Sequence, residues 1–197
     1  MKIVTLTIIV TLAMLLFTGE YNAPDRIAKA TAQSAEAPTF SEVSDTTGAF
    51  ASAEALKTYI KMASPSVQVY FYTKKYCKKF HVPESVAFGV LKLEVTYEGP
   101  SKHRYAKKQI STGNARGWYQ IVPSTGKDMY VLLGLGKRSE LTADRLLHDT
   151  ELNVMLGVFY LSYLHDKVSS NWKVVCGFYN TGYKQVNSYA STAAKYM

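Results

Sequence analysis

Glu94 and Glu98 lie one helical turn apart, where an apolar helical pattern gives way to a stretch holding Gly, Pro and Ser. Glu94 repeats with Ala87, Val90 and Leu91 on one helical face. A carboxyl held against an apolar face loses solvation, which disfavours the anion. Its pKa then rises, and it becomes a usable proton donor near neutral pH. The same pattern also fits a glutamate that ends a helix and faces water. Glu98 has a similar choice between a rival proton donor and a solvated loop carboxylate. His81, His103, His148 and His165 show no metal-ligand spacing. No metal and no cofactor is expected.

The elements that must position these groups read as mainly α. Val69, Thr73, Tyr76 and Phe80 form one stripe of an amphipathic helix. His81-Val82-Pro83 breaks it, and Pro83 suits the first turn of a second helix running to about Val95. Residues 97–122 read as a loop or a small β-hairpin. Pro123 starts another helix, ending near Gly134 or Gly136. Asp149 caps a long helix whose stripe is Leu152, Leu156, Phe159 and Tyr163. Asn171 caps a short helix stopped by Gly182, and a helical tail follows.

The 197 residues favour one domain, expected over 51–197. Lys2 followed by the apolar run Ile3–Phe17 reads as a signal peptide or short anchor within residues 1–20. The run falls short of the roughly 20 residues a membrane span needs. An Ala-Lys-Ala site at 28–30 lies far beyond it, so cleavage and retention both stay open. Residues 21–50, rich in Ala, Ser, Thr and Pro, read as a linker that buries too little to offset its ordering entropy. The expected location is the periplasm or cell envelope. The first cysteine is Cys77, so the apolar run has no nearby site for a lipid. Cys77 and Cys176 could pair after export or remain two buried thiols. The net charge of +8 fits anionic wall polymers or a membrane surface. Scattered lysines without a recognition motif argue against nucleic acid. Lys74, Lys75, Lys78 and Lys79 form a short basic stripe, the usual form of a solvated helix face.

Three separated segments, with a fourth between the last two, resemble the lytic transglycosylase family of the lysozyme-like superfamily. Leu91-Lys92-Leu93-Glu94 ends a helix with a Val-Pro-x-Ser-Val-Ala start. Gly117-Trp118-Tyr119-Gln120-Ile121-Val122-Pro123-Ser124-Thr125 is similar to G-L-M-Q-I-M-P-x-T. Tyr179-Asn180-Thr181-Gly182 is similar to the end of A-Y-N-A-G. Between them, Asp149 to Asn153 with Gly157 and Tyr160-Leu161 resembles D-P-x-x-N-I-x-x-G-x-x-Y-L. The match covers roughly Val82–Tyr183.

The resemblance implies a lysozyme-like fold and a cut in peptidoglycan glycan strands with 1,6-anhydromuramyl ends. It makes Glu94 the catalytic acid in preference to Glu98. It also makes Gln120, Trp118, Tyr119, Tyr179, Asn180, Thr96 and Glu98 candidate substrate-groove residues. Val95 stands where the family has Ser or Thr, and Thr96 could partly replace that hydroxyl. Trp118 and Tyr119 replace Leu and Met, which would make the groove more aromatic, although aromatic residues of this kind are at least as often core. A hydrolytic muramidase of the same fold and a non-catalytic wall-binding module are the alternatives. The expected form is a monomer, and an envelope-spanning machine is a candidate partner.

Overall fold

The computed structural model describes residues 53–97, 110–111 and 113–196. The N-terminal apolar run, the linker and Glu98 lie outside them. Among the described residues the chain forms α1 (Ala53–Met62), α2 (Pro65–Phe80), α3 (Glu84–Val95), α4 (Pro123–Leu132), α5 (Ala143–His148), α6 (Thr150–Lys167), α7 (Trp172–Thr181) and α8 (Ser188–Ala193). Short 3-10 turns at Arg138–Glu140 and Ala194–Tyr196 complete them. The fold is mainly helical and consistent with the lysozyme-like architecture. No described helix is long and apolar enough to cross a membrane.

The helix boundaries follow from local chemistry. The α2 stripe Val69, Thr73, Tyr76 and Phe80 is buried along its length. His81, left-handed at φ 56°, ends that helix. Asp149 accepts from the Leu152 N–H at 3.0 Å and Asn171 from the Lys173 N–H at 2.9 Å, which caps α6 and α7. Gly182, at φ 74°, supplies the left-handed turn that closes α7.

α6 departs from the expected single stripe. It buries Leu152, Asn153, Val154, Leu156, Gly157, Val158, Tyr160, Leu161 and Leu164, which cover most of its circumference, while Glu151, Met155, Phe159 and Ser162 lie on the less buried side. A helix enclosed on most sides carries apolar residues well beyond one stripe. α2, α4, α5 and α7 pack on it. Residues between 110 and 122 form turns joined by isolated bridges, Ile110 to Arg116 and Arg116 to Ile121, with no strand among the described residues. α8 was expected only as an undivided helical tail. Instead the chain leaves helix after Gly182 and restarts at Ser188, capped by Asn187, whose Oδ1 accepts from the Ala190 N–H at 2.8 Å.

Candidate active site

α3 carries Glu94 one residue before its end. Ala87, Val90 and Leu91 from the same helix are fully buried, so the carboxyl sits beside the core. The Tyr189 hydroxyl of α8 donates to Glu94 Oε1 at 2.7 Å. Burial lifts the Glu94 carboxyl from the ordinary value near 4.5 to about 7, and the Tyr189 bond pulls it partly back. Burial wins because one neutral donor replaces only part of the water that an anion would bind. Near neutrality the group is therefore split between acid and base, the condition that best serves proton transfer in both directions. Tyr189 itself is held well above the usual phenol range, first by burial and then by the Glu94 charge, so it stays a proton-bearing donor.

Thr96 follows Glu94 by two residues and caps α3 at φ 55°, its N–H donating to the Leu91 carbonyl. A β-branched residue is seldom left-handed, and the conformation costs on the order of 1–3 kcal/mol. Tyr97 locks the turn from below, its buried hydroxyl donating to the Ser66 carbonyl at 2.9 Å. Thr96 itself is exposed.

The turn at 117–120 corrects part of the expected groove. Trp118 and Tyr119 are both 0 % exposed and present no face to a sugar ring. They are core residues because this turn is clamped onto α6. Asn153, fully buried, accepts from the Tyr119 N–H at 3.0 Å. Its amide donates to the carbonyls of Arg116 (3.0 Å) and Leu146 (2.9 Å). Gly157 leaves the space that the Tyr119 ring fills, and Gly117, at φ 71°, lets the backbone pass against Asn153. The Tyr119 hydroxyl lies 3.3 Å from Thr73 Oγ1 and 3.5 Å from the Ala87 carbonyl. One ring thus joins α2, α3 and α6.

Gln120 sits half-buried in a left-handed turn at φ 44°. Its amide donates to the Gly117 carbonyl at 2.8 Å, so it pins the turn. Tyr179, on α7, donates to the Tyr119 carbonyl at 2.6 Å, with the Glu94 charge close enough to raise its pKa after burial. It therefore braces the surroundings of Glu94 through the Tyr119 carbonyl. Asn180 is exposed, and its Oδ1 accepts from Asn187 Nδ2 at 3.4 Å, tying α7 to the start of α8.

The residue missed in the sequence is Tyr189. No spacing in the tail singles it out; only the return of α8 across α3 brings it to Glu94. That return passes Gly177, where any Cβ would meet the Gln185 carbonyl. Cys77 and Cys176 are free, buried thiols, with Cys176 pushed up to about 12 by burial. A separate cavity of about 260 Å³ lies between α2, α4 and α6, lined in part by Tyr76, Tyr130, Arg145 and Glu151. Its charged groups already pair, Glu151 with Lys75 at 2.8 Å and Arg145 with Asp149 at 3.7 Å.

A family model described as the transglycosylase SLT domain matches residues 71–196. Comparison with curated proteins and with solved structures gave no match. The matched span begins within α2 and contains Glu94, Asn153, Tyr179 and Tyr189.

Proposed function

The chain belongs to the transglycosylase SLT domain family, and from that premise we propose that it is a peptidoglycan lytic transglycosylase with Glu94 as its single acid and base. Family membership supports an enzyme acting on peptidoglycan. The observation that supports the finer reading is the Glu94 carboxyl, largely buried at the end of α3, held near 7 and oriented by Tyr189.

In the proposed reaction, protonated Glu94 gives its proton to the oxygen bridging N-acetylmuramic acid and N-acetylglucosamine. As the bond to that oxygen breaks, the N-acetyl carbonyl stabilises positive charge at the muramyl carbon. Glu94, now anionic, takes the proton of the muramyl 6-hydroxyl, whose oxygen closes on the same carbon to form the 1,6-anhydro ring. No water is consumed, and Glu94 ends protonated as it began. An intramolecular hydroxyl has a large effective concentration, which favours ring closure over attack by water. Tyr189 holds one carboxyl oxygen, leaving the other to reach the glycosidic oxygen. Export to the periplasm or cell envelope is the location this substrate requires.

Mass spectrometry of fragments released from purified peptidoglycan tests the reading, with Glu94→Gln alongside. Anhydromuramyl ends made by wild type alone are the expected result. Reducing ends would assign a hydrolytic muramidase, and no release by wild type would assign a wall-binding module.

A further inference from the structure

α1 and α2 together carry six lysines, Lys57, Lys61, Lys74, Lys75, Lys78 and Lys79, against one acid, Glu54. α2 buries Val69, Thr73, Tyr76 and Phe80, so Lys75, Lys78 and Lys79 fall on its exposed side. Tyr59 of α1 packs edge-on against Phe71 of α2, with ring centroids 6.3 Å apart, which sets the two helices' outer surfaces side by side. Lys61 and Lys75 both act on Glu151, which brings the lysines of the two helices into one field. Among the described residues, Glu54 pairs with Lys57, Glu84 with Lys74 and Glu151 with Lys75 on this face. With six lysines on the two helices, positive charge exceeds these three carboxylates.

Apolar groups accompany the charge. Met62, at the end of α1, is 82 % exposed, and Tyr59 is 43 % exposed. A flexible thioether and an amphipathic ring between lysines match a bilayer interface, where apolar tips enter the headgroup layer and ammonium groups stay at the phosphates. A soluble polyanion would use the lysines but gain little from Met62. The absence of arginine from the face fits a diffuse anionic surface better than bidentate grip on single phosphates. In the sequence, the apolar run Ile3–Phe17 also precedes α1.

We propose that the outer face of α1 and α2 is a docking surface for an acidic phospholipid membrane. Docking there leaves the active site free. Lys74 pairs with Glu84 at the start of α3, and Glu94 lies ten residues further on, about 15 Å along the helix at 1.5 Å per residue. The acid would then work on glycan strands just above the bilayer.

The test is co-sedimentation of the full chain with phosphatidylcholine vesicles containing phosphatidylglycerol, and with vesicles of phosphatidylcholine alone. Wild type is compared with a Lys61→Gln/Lys78→Gln/Lys79→Gln variant and with a Lys137→Gln/Lys173→Gln/Lys195→Gln control. All three proteins carry Ile3–Phe17, so its contribution cancels. The expected result is a loss of about tenfold or more in partition onto acidic vesicles for the face variant alone, since each lysine near such a surface contributes about a fivefold factor. That binding should weaken with salt. Circular dichroism and cleavage of soluble glycan fragments should remain at wild-type level. Equal partition of the face variant and wild type would overturn the proposal. So would loss of binding by the face variant to isolated anionic wall polymer but not to acidic vesicles.

Discussion

Glu94 and Glu151 each accept a hydrogen bond from a tyrosine hydroxyl, Tyr189 at 2.7 Å and Tyr76 at 2.8 Å, yet their carboxyls move in opposite directions. At both sites burial raises the pKa and the phenol lowers it. At Glu151 the Lys75 ammonium, 2.8 Å away, and the charge of Lys61 join the phenol and outweigh burial, so the carboxyl titrates below its ordinary range. At Glu94 burial dominates and the carboxyl rises to about 7. A tyrosine partner therefore orients a carboxylate without deciding its charge. The local cation and the extent of burial decide that, and they leave one glutamate able to exchange a proton near neutrality and the other an ion-pair partner.

The sharpest way to separate the two is to remove each carboxylate. Glu94→Gln should lower glycan cleavage at least about a thousandfold, because the proposed acid and base roles both sit on it. Release of muropeptides under single-turnover conditions measures this. Glu151→Gln should leave cleavage within about twofold.

The same substitution makes a stability prediction of unusual sign. The folded-state carboxyl of Glu94, near 7, lies above the ordinary value near 4.5. Between those pH values the folded chain keeps a proton that the unfolded chain has released, so stability falls as pH rises through that window. At about 1.4 kcal/mol per pH unit the fall is on the order of 3 kcal/mol. Glu94→Gln should escape it, appearing more stable than wild type at pH 8 and losing that advantage near pH 4.5. Urea titrations at the two pH values check this. Glu151 has the opposite slope, since its depressed carboxyl contributes stability above about 4.5 that is lost as pH falls.

Gly177→Ala would drive a methyl into the Gln185 carbonyl and shift the segment that delivers α8. Activity should fall about tenfold or more, with a smaller fractional loss of stability than a core truncation would cause. Comparing kcat with the urea midpoint distinguishes the two.

Smaller again is Tyr189→Phe. Its loss removes the one bond that pulls Glu94 down, so the alkaline limb of the pH–rate profile should move upward. The rate near pH 7 should drop roughly tenfold, the loss expected for one hydrogen bond to a charged group. Tyr76→Phe should leave that profile unchanged and cost about 1 kcal/mol of stability.

Much of this arrangement was legible in the sequence, and what was not has a common cause. The stripe of α2, the Pro83 break, and the Asp149 and Asn171 caps are local, and short-range patterns report them. The apolar face beside Glu94 is local too, which is why its environment could be anticipated. Trp118 and Tyr119 have flat faces that suit sugar rings but are as often core, and no local pattern in the sequence decides between the two. Their burial comes from Asn153, 34 residues beyond Tyr119, whose three hydrogen bonds fold the turn inward. Tyr189 lies 95 residues from Glu94. No period or spacing encodes a contact formed only when α8 returns across α3.

The central claim is that Glu94 is poised between acid and base at neutral pH, and a direct titration tests it most closely. Carbon-13 NMR of selectively labelled glutamate carboxyls, assigned with Glu94→Gln and Glu151→Gln, would follow both groups at once. The account predicts a Glu94 midpoint near 7 and a Glu151 midpoint below the ordinary carboxylate value. A Glu94 midpoint between about 4 and 5 would contradict it, leaving the carboxyl an anion at pH 7 and unable to protonate a leaving group there.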